Sequence, residues 1–141
     1  MHARYLLLLF SIVTIDCTDV GSDNSGAVVI TTDKDSYGRS ETVVFTVRNW
    51  GPATAYAWHC NYRLGYGIQK QENGSWPTIG ERYMICLAIY ASGAQPIVVG
   101  QPYTDTLRLA TSGTYRLEMG VGWDREKLWD YRIYSNTLRV E

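Results

Sequence analysis

From Trp58 to Ile68 the chain alternates with a period of two. Trp58, Cys60, Tyr62, Leu64, Tyr66 and Ile68 occupy one parity, and His59, Asn61, Arg63, Gly65, Gly67 and Gln69 the other. Nothing else in the sequence constrains the fold as strongly. Successive side chains of a strand point to opposite faces, so this spacing predicts a half-buried strand and conflicts with the 3.6-residue repeat of a helix. Similar short runs recur at Val28 to Asp33, Tyr83 to Tyr90, Ile97 to Val99 and Thr104 to Leu109. Thr42 to Asn49 sets Val43, Phe45 and Val47 against Val44, Thr46 and Arg48, and a late segment places Tyr115, Leu117, Met119 and Val121 on one face. The chain ends in "YRIYSNTLRVE". Turn signals separate these runs: "KDSYGRSE", "GPAT", and Asn73-Gly74 as a two-residue hairpin. Seven to nine strands without a helical window predict an all-β antiparallel sandwich.

A length of 141 residues suits one domain with an extension. The net charge of −1 gives no electrostatic footprint for nucleic acid, so no nucleic-acid partner is expected. Only two histidines are present, His2 and His59, which excludes a site built on several imidazoles. No cofactor is expected.

The first seventeen residues read as an address. Arg4 supplies a positive charge before the apolar run Tyr5 to Ile15. As a helix this run would extend roughly 16 Å, about half a bilayer core, which favours a secretory signal over a spanning segment. Cys17 resembles the acceptor cysteine of a bacterial lipoprotein signal, although Thr14-Ile15-Asp16 departs from the residues that motif places before it. Lipid attachment at Cys17, plain secretion and a retained anchor all remain open. By the same resemblance, Thr18 after Cys17 implies an outer-membrane destination where such a membrane exists. Residues 18–26, "TDVGSDNSG", have the composition of a flexible tether, leaving 27–141 as the folded domain.

Within that domain "TTDKDSYGRSETVVFTVRN" resembles the opening of bacterial immunoglobulin-like domains found in exported proteins and lipoproteins. "NGSW", "SGTYRLEM" and "YSNTLRV" are similar to later landmarks of the same family. The resemblance implies an immunoglobulin-like sandwich and a cysteine pair flanking the central hairpin, matching Cys60 and Cys86. Two departures stand out: Ser40 replaces the glycine before Glu41, and the arm from Cys60 to Asn73 is long. The hairpin register agrees approximately with the pair. A turn at Asn73-Gly74 sets Cys60 opposite Leu87, one residue from Cys86, and a single bulge marked by Gly65, Gly67 or Pro77 would correct the offset. With Cys17 lipidated, an even number of cysteines remains for an oxidising compartment.

The adjacent His59 and Cys60 invite a catalytic reading, which alternation opposes. Cys60 shares the parity of Trp58 and Leu64 and is expected to face the core, while His59 is expected to face solvent. A nucleophile and its base on opposite faces cannot meet. Asp33 and Asp35 beside Ser36 have the composition of a turn and too few ligands for calcium. Asn73-Gly74-Ser75 is a formal glycosylation sequon that the hairpin turn also explains.

Eleven tyrosines and five tryptophans exceed what one small core can hold. Trp50 flanks the "GPAT" loop, and Trp123, Trp129, Tyr131 and Tyr134 crowd a late loop. These five are the candidate partner-binding residues, since large aromatics dominate interface energetics; loop packing over the sandwich end is the competing explanation. The expected function is a non-enzymatic exported module, in the periplasm or at the cell surface. It would bind a protein partner in the envelope or in a membrane complex, with the membrane reached through lipid or an N-terminal anchor. Two alternatives are kept. "NWGPATAYAW", with Trp123, resembles the loops of chagasin-type cysteine-protease inhibitors, with Gly51 and Ala55 as departures. Aromatic loops on a β-sandwich also suit carbohydrate binding.

Overall fold

The computed structural model describes residues 24–81, 86 and 91–141. The leader, Cys17 and most of the expected strand Tyr83 to Tyr90 lie outside the described residues. A 3-10 turn, Asn24–Ala27, precedes the first strand.

Among the described residues, twelve strand segments form two sheets. The smaller sheet orders β1 (Val28–Thr32), β3 (Thr42–Asn49) and β9 (Tyr103–Arg108), all antiparallel. The larger is built around β10 (Gly113–Gly122). On one edge β10 pairs with β12 (Leu138–Val140) and then β11 (Tyr131–Tyr134); on the other it pairs with β6 (Gly67–Lys70) and then β4 (Ala55–Cys60). β2 (Ser36–Tyr37) runs parallel to β12, while β8 (Ser92–Ile97) and β5 (Arg63–Leu64) pair with β4, and β7 (Thr78–Glu81) pairs with β6. This is an immunoglobulin-like β-sandwich. With β4/β6 and β11/β12 taken as single interrupted strands and β5 as part of an excursion, nine strands remain among the described residues, as expected.

The inward rows follow the alternation. Val43, Phe45 and Val47 of β3 oppose Tyr115, Leu117, Met119 and Val121 of β10, and all are buried. Phe45 meets Tyr66 edge to face, with centroids 5.0 Å apart. Each such side chain contributes about 1.5–3 kcal/mol on burial. Asn49 shares the inward parity of β3 and is 0 % exposed. The turn before β3 is held by Asp33, whose carboxylate accepts the Tyr37 hydroxyl at 2.6 Å and the Val44 N–H at 3.1 Å. Those bonds hold the Asp33 carboxyl below its ordinary range, the Tyr37 bond contributing most. Burial, and then the bond to Asp33, push the Tyr37 hydroxyl upward. Ser40 has φ +59°, a left-handed conformation that glycine adopts without strain.

Several expectations change in the middle of the chain. The alternation from Trp58 to Ile68 is not one strand. Asn61 and Tyr62 have φ of 51° and 62° and close a two-residue hairpin in which His59 opposes Leu64 and Cys60 opposes Arg63. Along β10, three residues separate Val121 from Glu118, whereas ten separate their partners, Ala57 and Gly67. The seven surplus residues are this excursion, and they explain the long arm. The turn also reverses the facing of the parities. Ala55, Ala57 and His59 point inward, and His59 is 8 % exposed; Tyr56, Trp58 and Cys60 lie on the outer face and are half-buried. Cys60 therefore faces outward and His59 inward, the reverse of the expectation, because parity counted from Leu64 and Tyr66 does not carry back across the hairpin. The Asn73-Gly74 hairpin forms, with φ of 50° and 80°. A bulge lies in it at Ile79, not at Gly65, Gly67 or Pro77, and it moves the partners one position later, away from the offset that would set Cys60 opposite Cys86; Cys60 pairs with Ser92 of β8 instead. The strand expected at Ile97 to Val99 instead occupies Ser92–Ile97.

Candidate functional site

Cys60 is joined to Cys86, with Cα atoms 5.7 Å apart. The bond leaves β4 on its outer face. His59 on the other face accepts the Tyr62 N–H at Nδ1 (3.3 Å) and stacks on the Tyr62 ring at 5.9 Å. The two residues thus serve separate purposes: one staples a distant segment and the other fastens a turn.

The five candidate aromatics divide between two surfaces. At the end of the sandwich, Asn49 organises the "GPAT" loop. Its Nδ2 donates to Ala53 O (2.7 Å) and Ile97 O (2.9 Å), and its Oδ1 accepts the Gly51 N–H (2.8 Å). This geometry turns Trp50 out, 63 % exposed, with the Arg48 guanidinium 5.6 Å from its ring centre. A β-carbon at Gly51 would lie 2.9 Å from Ala27 Cβ and 3.1 Å from Trp123 Cη2, so only glycine lets the loop settle against Trp123. Trp123 and Tyr131 pack partly buried against the core. Trp123 Nε1 is buried without a hydrogen-bond partner among the described residues.

Trp129 and Tyr134 belong to the outer face of the larger sheet. Opposite the core row of β10 lie Arg116, Glu118, Gly120 and Gly122. The last two glycines receive the loop 123–130: the benzo ring of Trp129 fills the space of a β-carbon at Gly120, and the Lys127 carbonyl fills that at Gly122. Trp129 remains 48 % exposed. Further along, Glu118 is buried, ion-paired to Arg132 and accepting Gln69 Nε2 at 2.6 Å. Gln69 Oε1 in turn accepts Arg116 Nε at 2.7 Å. The Arg116 guanidinium lies 4.5 Å from the Trp76 ring centre and 4.1 Å from that of Tyr134, which is 43 % exposed. Along β10 the surface therefore reads Trp129, then the Glu118 pair, then Arg116 between two rings.

Trp76, Arg116, Gln69, Glu118 and Arg132 were absent from the expected site. Their signal was present: the complement of the row Tyr115, Leu117, Met119 and Val121 is Arg116, Glu118 and two glycines, a charged face with room for something to lie on it. Lipidation at Cys17 concerns a residue outside the described region.

No family model matches the chain, and no curated protein matches it. Among solved structures, a superoxide reductase (neelaredoxin) from Ignicoccus hospitalis is similar at 15 % identity over 86 % of this chain and 89 % of that one, with a TM-score of 0.42. The sporulation control protein Spo0M of Bacillus subtilis is similar at 13 % identity over 81 % of this chain and 48 % of its own, with a TM-score of 0.44. The CARDB domain of a Pyrococcus furiosus protein is similar at 12 % identity over 81 % and 94 %, with a TM-score of 0.34. At these scores none carries an argument about function.

Proposed function

We propose that this chain is a non-enzymatic, exported binding module that docks a protein partner in the cell envelope, tethered to the membrane through its N-terminal segment. The carrying observation is the outer face of the larger sheet, where the exposed rings of Trp129 and Tyr134 flank Arg116 and Arg132. Trp, Tyr and Arg are the residue types that dominate binding hot spots. The Cys60–Cys86 bond supports export, since disulfides persist in oxidising compartments. The test is a photo-crosslinking amino acid placed at Trp129, and separately at Thr106 on the outer face of the smaller sheet, in cells that make the full chain. A discrete crosslinked protein at the first position and none at the second is expected. Equal labelling at both, or none at either, refutes the reading.

A second reading draws on one contact, that of Gly51 with Trp123, which brings the "GPAT" loop beside the late tryptophan as chagasin-type inhibition would require. Titration of papain with the purified chain tests it, and undiminished proteolysis removes it.

A further inference from the structure

Arg116 is held before any partner arrives. Its Nε is fixed by Gln69 Oε1, and Gln69 is fixed by Glu118, which Arg132 holds from the far side. Tyr134 lies on β11 and Trp76 in the connection from β6 to β7, and β11 and β6 pair with opposite sides of β10. The guanidinium is thereby immobilised between two rings, while its Nη1 and Nη2 have no hydrogen-bond partner among the described residues.

A planar guanidinium with a free fork matches a carboxylate in two parallel hydrogen bonds. Ordering such a side chain ordinarily opposes binding, and here the protein's own contacts have already imposed the order. The guanidinium lies over both the Trp76 and the Tyr134 ring, so the ring faces it covers are closed to a stacking sugar. What the site offers between them is a fork with aromatic walls.

We infer that Arg116 is the receptor for a carboxylate side chain on an acidic peptide segment of the partner, with apolar neighbours of that segment covering Tyr134 and Trp129. This inference rests on the protein-binding reading and specifies its chemistry.

The experiment follows the Arg116 Nε–H resonance of the full chain in detergent, assigned by its loss in Arg116→Lys. A capped hexapeptide of alternating glutamate and leucine is titrated in, beside the same peptide with glutamine for glutamate and beside oligogalacturonate. The acidic peptide is expected to shift the resonance to saturation, and the glutamine peptide to leave it in place. Arg116→Lys, read through the Trp76 indole signal, is expected to weaken the acidic peptide about tenfold, because it keeps the charge and loses the fork. Equal affinity in Arg116→Lys overturns the inference, as does saturation by oligogalacturonate without response to the peptide. A crosslink at Trp129 in cells together with an unresponsive Arg116 sinks the carboxylate receptor alone and leaves the binding reading standing.

Discussion

Asn49 decides how the "GPAT" loop meets the sandwich, and its removal has a calculable consequence. The side chain is 0 % exposed and serves three backbone groups: Gly51 N–H, Ala53 O and Ile97 O. Asn49→Ala leaves all three without that partner in a place where water enters only if the loop opens. A buried group left unpaired costs about 1–3 kcal/mol, and partial relaxation of the loop lowers the sum, so a loss of about 3–5 kcal/mol is expected. Against the roughly 5–15 kcal/mol of a typical domain, this is a large share. Urea denaturation followed by far-UV circular dichroism measures it, and an unchanged m-value would confirm that the midpoint shift reports stability.

Asn49→Asp separates hydrogen bonding from volume. The carboxylate keeps an acceptor for Gly51 but directs its other oxygen at the carbonyls of Ala53 and Ile97, so burial and repulsion raise its folded pKa. A raised folded pKa means that the native state holds the proton more tightly than the unfolded chain. Stability is then fullest below the unfolded carboxylate range and falls as pH rises toward the folded value. Asn49→Asp is expected to approach wild type near pH 4 and to be weakest near pH 7. If Asn49→Ala loses under about 1 kcal/mol, or Asn49→Asp shows no such slope, the three hydrogen bonds do not organise the loop.

Four further outcomes follow from local geometry. Ser40→Gly relieves a left-handed φ of 59° and is expected to raise the urea midpoint by about 0.5–1 kcal/mol of stability, with Ser40→Val lowering it. Gly120→Ala drives its β-carbon into the Trp129 ring and must displace it, so tryptophan emission should shift red; Gly122→Ala meets the Lys127 backbone carbonyl and should cost several kcal/mol or open the loop to protease. Replacing Cys60 and Cys86 together by serine opens a 26-residue separation and should cost about 3.5 kcal/mol on the chain-entropy model, read by thermal denaturation with and without reductant. Asp33, with its carboxyl held below the ordinary range, contributes stability that is present above the unfolded value and lost as pH falls through the folded one; Asp33→Asn should flatten that acid limb in urea titrations at successive pH values.

The fold was legible wherever one strand's alternation stood alone. Val43, Phe45 and Val47 and the row from Tyr115 to Val121 are core in the structure as the spacing requires, and Asn73-Gly74 turns as its φ preference requires. The reading failed where two alternations abut. Asn61-Tyr62 has the first half of a hairpin signal, but tyrosine stands where glycine would mark the second positive φ, so the turn was hidden inside an unbroken apolar and polar pattern. One concealed turn was enough to interchange inside and outside for His59 and Cys60.

The same blindness shaped the site. Closeness along the chain puts Trp123, Trp129, Tyr131 and Tyr134 together. In a sandwich, however, neighbours along a strand are sent to opposite faces, and neighbours across strands are brought together. Arg116 finds Tyr134 18 residues ahead and Trp76 40 residues behind because β11 and the β6–β7 hairpin flank β10, a relation set by pairing register and invisible to local spacing. What the sequence did contain was the vacancy itself. Gly120 and Gly122 alternate with Met119 and Val121, and a strand that buries one row of large side chains while presenting glycines on the other needs a reason for the missing volume. The reason is the loop laid over them, which brings Trp129 onto the sheet face that Arg116 and Tyr134 share.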